Sequence, residues 1–286
     1  MLTLLFSLAT AEAADVTPTF DGRVSLSYWR VGTQLNLRPG VVIGMPWAEP
    51  DNVILEPAAL KLEAEVAATP AFLRAGGRAT FTPVALLDVT PYAYFDQYFG
   101  TFQTVVGYDS WDANYGTNDD IAAYVEDTGA QATGRGLHYG VSTTLKAKVG
   151  AGPGDVIVLL NGDWSRWHIN SPDLTADYDY FFERELEVMM RFGDSGGENL
   201  VQGNGILMYE LDRNPDNGSL LRVGSLTTYR MTTVADDRLF RTGALVQIPT
   251  YEGKWTHTII AQAYLSDRAY TSAFPPFFAY QIKFVI

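Results

Sequence analysis

Residues 137–149 read LHYGVSTTLKAKV. In an extended strand Leu137, Tyr139, Val141, Thr143, Leu145, Ala147 and Val149 share one face, and His138, Gly140, Ser142, Thr144, Lys146 and Lys148 share the other, because strand side chains alternate with period 2. The alternation runs far past the ~5–6 residues of an ordinary globular strand and covers the ~9–11 that a tilted strand needs to cross a bilayer. Gly150-Ala151-Gly152-Pro153-Gly154 then makes a turn in which the glycines can take φ > 0. The segment DVIVLLNGDWSRW (155–167) returns at once. Strands joined this tightly are antiparallel.

The same pattern predicts further strands near 20–30, 60–68, 78–88, 179–192, 200–212, 219–233, 239–249, 255–266 and 277–286, separated by turn-rich FGDSGGEN, RNPDNG, VADD and TYEGK. Helical periodicity is almost absent, so an up-and-down meander is the economical topology. This set is odd in number, whereas a barrel with both termini on one side needs an even number of strands. A further strand is therefore expected in 31–44 or 92–106, giving a closed, up-and-down antiparallel transmembrane β-barrel of about 12 strands. Within 92–106, Tyr94, Tyr98 and Phe102 recur every four residues. They read either as a short amphipathic helix across the barrel mouth, within a long loop near 89–136, or as an irregular strand.

Composition narrows the possibilities. At 286 residues, with no linker or repeat, 14–286 reads as one barrel domain. A formal charge of −13 argues against nucleic acid as a partner. With no cysteine there is no disulfide, thiolate metal site or Cys nucleophile. The start MLTLLFSLATAEA (1–13) reads as a truncated signal peptide closed by Ala11-Glu12-Ala13, and no other run approaches the ~18 apolar residues of a spanning helix.

The chain ends PPFFAYQIKFVI, with Phe278, Tyr280, Ile282, Phe284 and Ile286 on one face and Gln281 and Lys283 on the other. Signal-like start, long alternating strands, tight turns, 13% aromatics, absent Cys and this greasy C-terminus together resemble bacterial outer-membrane β-barrel proteins. The likeness is to the class and carries no family motif. It implies a Gram-negative outer-membrane location, contact with outer-membrane lipid, and recognition of the last strand by the barrel assembly machinery. In that class the last residue is usually Phe; here it is Ile286, with Phe284 two before it.

Parity puts Leu60, Leu62, Ala64 and Val66, with Leu221, Val223, Tyr229 and Met231, on the outer face. The expected lumen-lining set is Lys61, Glu63, Glu65, Lys146, Lys148, Glu183, Glu185, Glu187, Glu210, Arg222, Arg230, Arg241 and Lys283, and Arg23 also faces inward. Three glutamates on one face of 183–187 are costly in a dry core but not in a wet or ion-paired lumen, which favours a barrel over a soluble β-sandwich. Arg184 then falls on the lipid face and is expected near a rim.

A simple hairpin places His138 opposite Ser165, with Asp163 one pleat away, as weak candidates for a Ser/His/Asp site; a polar cluster is the plainer reading. DSWDANYGTNDD and DLTADYD carry oxygen ligands without the EF-hand spacing. No metal site, P-loop or dinucleotide fingerprint is present, and no cofactor is expected. The expected role is a narrow small-solute channel or transporter. The alternatives are a structural or interaction barrel with an occluded, salt-bridged interior, or an outer-membrane lipid hydrolase using Ser165 and His138.

Overall fold

The structure is a computed structural model that describes residues 16–28, 32–113, 115, 118–174, 177–214, 219–250, 254–266 and 277–285. The signal-like segment 1–13 and Ile286 lie outside the described residues.

Twelve strands close into a single barrel. In chain order the wall consists of β1 (Val16–Tyr28), β2 (Gly32–Gly44), β3 (Ala59–Ala68), β4 (Phe72–Val84), β5 (Leu87–Tyr98), β7 (Gly134–Ala151), β8 (Gly154–Asn170), β11 (Glu198–Asn214), β12 (Ser219–Thr232), β13 (Arg238–Thr250), β14 (Trp255–Ser266) and β15 (Phe277–Val285). Every neighbouring pair is antiparallel, and β1 pairs with β15 from Asp21↔Val285 to Tyr28↔Phe278, which closes the sheet. Closure leaves no strand edge to satisfy in lipid.

The strand number was expected, but two of its sources differ. Residues 32–44 and 87–98 are both wall strands, whereas 179–192 is not one. The stretch 78–88, read as one strand, straddles the turn at 85–86 between β4 and β5. The loop expected from 89 begins only at 99 and runs to 133. Tyr94 and Tyr98 lie on the inner face of β5: a spacing of four is even, so it satisfies a strand face as well as a helix stripe.

The wall has reversed polarity. Leu137, Leu145 and Val149 on β7, Leu160 and Trp164 on β8, Leu62 and Val66 on β3, Val223 on β12 and Phe278 on β15 are exposed on the outside. His138, Glu63, Glu65, Glu210, Arg241 and Gln262 are buried inside. The β7–β8 turn has Gly152 at φ 65°, a conformation costly for any residue with a Cβ. At the seam the Phe284 ring lies over Gly22, where a Cβ would fall 1.9 Å from the ring, and Phe20 and Trp255 flank it with centroids at 6.1 and 5.3 Å. Such an aromatic cluster near strand ends suits a membrane–water interface.

The two long connections on the far side from the termini, 99–133 and 171–197, fold together as a cap. A second sheet joins β6 (Gly107–Tyr108), β9 (Tyr180–Glu183) and β10 (Val188–Arg191), and helix α1 (Asn118–Thr128) packs beside it. The largest apolar core of the protein is here: Val105, Val106, Tyr115, Ile121, Phe181, Phe182, Met189 and Met190 join Phe72, Tyr98, Trp167, Ile169, Leu200 and Tyr264 from the wall.

Candidate functional site: an inserted hairpin in a charged lumen

β9 and β10 form a hairpin, Glu183↔Val188, whose tip Glu185–Glu187 reaches into the barrel. The root is apolar and lies in the cap core. The tip is charged, and the wall holds it from several sides. Arg74 of β4 pairs with Glu185 at 3.2 Å, and Gln34 of β2 donates to Glu185 at 3.3 Å. Arg241 of β13 pairs with Glu187 at 2.6 Å, and the Tyr264 hydroxyl of β14 donates to Glu187 at 2.8 Å. Arg230 of β12 donates to the carbonyls of Glu185 and Leu186. Tyr98 of β5 donates to Glu183 at 3.0 Å, and Glu183 also accepts the Leu186 N–H. Glu187 sits at φ 58°, and its N–H donates to the Glu183 carbonyl at 2.8 Å, which closes the tight tip. Burial, then the neighbouring Glu185 carboxylate, push the Glu183 carboxyl up to about 7.

Glu183, Glu185 and Glu187 are therefore not a row on a spanning strand. They are the tip of an inserted segment, and alternation over a short hairpin imitates that of a wall strand. Arg184, expected at a lipid rim, is buried in the cap and donates to the Phe102 carbonyl and, at 2.8 Å, to Asn118 Oδ1.

Most of the remaining expected lumen residues form ion pairs along the wall. Lys61 bridges Asp21 and Glu63 at 2.5 and 2.9 Å, and Glu63 also meets Arg78 at 3.4 Å. Glu65 is held by Arg38 at 3.0 Å, Asn36 at 2.6 Å and Tyr94 at 2.7 Å. Lys146 pairs with Asp88 at 2.9 Å. Lys148 and Arg222 converge on Glu210, and Lys148 also meets Asp155 at 3.0 Å. Lys283 is exposed and lies beside Arg23 across the seam. Arg38, Arg74, Arg78 and Asp96 were missed: Arg38 lies in 31–44, one of two options for the further strand, Arg74 and Arg78 lie before and at the misplaced start of β4, and Asp96 lies in a segment read as loop.

The Ser/His/Asp grouping is not assembled. The β7–β8 register sets His138 opposite Trp167, Ser165 opposite Gly140 and Asp163 opposite Ser142, two residues from the simple-hairpin expectation. His138 Nδ1 bonds Asp96, which Arg74 holds at 2.7 Å, and the imidazole stacks on Trp167 at 4.0 Å. Ser165 accepts from Trp167 Nε1 at 2.9 Å, and Asp163 accepts from Tyr92 at 2.8 Å. Among the described residues no hydrogen bond joins His138 to Ser165 or Asp163. Nor is any group of three or more His, Asp or Glu side chains among them arranged to hold a metal ion.

On either side of the tip the lumen is hollow. One cavity of about 330 Å³ lies against β1, β2 and β11–β15 and includes Arg23, Arg230, Arg241, Glu185 and Glu187 in its wall. The other, about 210 Å³, lies against β2–β5, β7, β8 and β11, with Arg38, Arg78, Tyr92, His138 and Asp163 in its wall and Leu186 between the two.

A closed twelve-strand antiparallel barrel, apolar outside and ion-paired inside, has the architecture of bacterial outer-membrane β-barrels. Neither a family model nor a curated protein matches its sequence. Among solved structures it is similar to the β domain of the Bordetella autotransporter BrkA, at 11% identity and TM-score 0.47, covering 94% of this chain and 98% of that one. It is similar also to LpxR from Salmonella typhimurium (9%, TM-score 0.43, 93% and 99% covered) and to the NanC porin (11%, TM-score 0.41, 93% and 98% covered). These likenesses are of barrel architecture.

Proposed function

We propose that the protein is a narrow small-solute channel whose constriction is the inserted tip Glu185–Glu187. The observation that carries this reading is the way the tip is held: charged and polar groups grip it between two hollow compartments, while its apolar root is fixed in the cap. Twelve strands fall between the side-chain-filled interior of ~8 and the open lumen of ~16–18. A charged interior of this kind is stable only when wet or fully paired, and the hollows on either side leave the tip room to move. The tip can thus shift while its root stays in place.

Planar-bilayer recording tests the idea. Wild-type protein should give small conductance steps, and Glu185→Gln with Glu187→Gln, which remove the tip charges that Arg74 and Arg241 hold, should raise the open fraction or the step size. Removing one partner of a buried pair costs ~3–5 kcal/mol, enough to displace the tip. Silence from both proteins would mean a sealed, salt-bridged barrel and would end the channel reading.

A further inference from the structure

We propose that the larger cavity, between the hairpin tip and the β1–β15 seam, is a binding site for a small hydroxylated carboxylate of about monosaccharide size. This goes beyond conduction, since a site in the lumen can be occupied whether or not the solute passes the tip.

The seam brings four inward-facing polar residues together. Arg23 lies across from Lys283, and Ser25, next inward on the same strand, lies across from Gln281. Arg23, Ser25 and Gln281 all line the cavity. None of these three makes a side-chain hydrogen bond or ion pair among the described residues, although most other lumen charges are paired. The carboxylates nearest to Arg23 in charge terms, Glu65 and Glu185, are already engaged: Glu65 by Arg38, Asn36 and Tyr94, and Glu185 by Arg74 and Gln34. Opposite, Arg230 uses Nε on Gln202 at 3.0 Å and Nη1 on the tip carbonyls, which leaves Nη2 to donate.

The charge balance selects the ligand. Three arginines and two glutamates line the cavity, a net positive lining; Arg241 pairs with Glu187, and Glu185 pairs from outside it with Arg74, which also holds Asp96. Arg23 and Arg230 are left without a carboxylate in salt-bridge contact inside the lumen. An unpaired guanidinium in such a place favours an anion, and its planar fork matches a carboxylate. Ser25 and Gln281 beside it offer both donors and acceptors, which suits the hydroxyls of a sugar acid more than a bare inorganic anion. A volume of about 330 Å³ is at the small end of the ~300–1,000 Å³ typical of small-molecule sites.

The test is titration calorimetry on the detergent-folded protein with D-glucuronate, D-glucose and inorganic phosphate, so that no step depends on conduction. Glucuronate should bind, and at least ~tenfold more tightly than glucose, the scale of one charge-assisted pair. Arg23→Gln should lower its affinity by about the same factor. Ser25→Asp, which puts a like charge beside the carboxylate without removing an arginine, should abolish binding, and it serves if Arg23→Gln does not fold to the heat-modifiable form. Equal affinity for glucose and glucuronate, no binding of either, tighter binding of phosphate, or unchanged affinity in both folded variants would overturn the proposal. A silent bilayer together with glucuronate binding would remove the channel reading and leave the site.

Discussion

The barrel wall and the cap are built from the same chain with opposite polarity. In the wall, large apolar side chains such as Leu137, Leu160 and Leu62 point outward, and the interior holds Arg, Lys, Asp and Glu. In the cap, Phe181, Phe182, Met189 and Met190 are buried inward, while Asp112, Asp119 and Asp127 face outward. The difference teaches that apolar groups leave water by whichever route the surroundings provide: toward lipid for the wall, toward each other for the cap. The β9–β10 hairpin belongs to both regimes, with an apolar root in the cap and a charged tip in the lumen.

The comparison predicts that the two regions fail separately. Phe182→Ala should have the largest effect, a loss of ~3–5 kcal/mol confined to the cap. Protease should then cut within 99–133 and 171–197 at much lower concentration, while the unheated barrel still migrates as a folded species on SDS gels. Loss of that folded band would show that cap and wall unfold together and would erase the distinction.

A smaller effect is expected from pH at the hairpin. Glu183, facing Glu185, Arg74 and Tyr98, has its carboxyl raised to about 7 in the folded state. A raised carboxyl means that the folded hairpin holds a proton that the released hairpin gives up. Stability therefore falls as pH rises from the ordinary carboxylate range through about 7, and it is flat beyond. Hydrogen exchange at Leu186 and Glu187 should be slower at pH 5.5 than at pH 8 after correction for intrinsic rates, and Glu183→Gln should remove the difference. A hairpin equally protected at both pH values would place the proton elsewhere.

The smallest effect sharpens the comparison from outside. Arg238 and Asp236 form an ion pair at 2.8 Å at the cap end of the β12–β13 turn, with both side chains more than half exposed. Arg238→Ala should change stability by no more than the ~0–1 kcal/mol of a surface pair, measured as heat of gel conversion. A large loss there would mean that the turn supports the cap.

Much of the wall could be read in advance, because its alternation is strict wherever one side meets lipid. Lys61, Glu63, Glu65, Lys146, Lys148, Glu210, Arg222 and Arg241 share one parity along the wall strands, and there they form ion pairs. Where a boundary slipped, residues were lost: starting a strand at 78 left Arg74 of β4 outside it, and starting a loop at 89 left Asp96 of β5 outside the wall. The register of His138 against Trp167 was also beyond reach, since a turn of the same composition can close with different numbers of residues, and each shift of two keeps parity intact.

The sequence by itself determined a closed antiparallel barrel with an apolar outside and a charged inside, because a period of 2 kept up over long strands has few other stable uses. Tertiary structure alone decided that 180–191 leaves the wall and enters the lumen. A four-residue strand alternates as well as a spanning one, and what separates them is the partner: β9 pairs with β10 and β6, not with β8 or β11. That choice of partner moved Glu185 and Glu187 from a lining row to a tip clamped by Arg74 and Arg241, and it left Arg23 in the cavity wall without an ion-pair partner among the described residues.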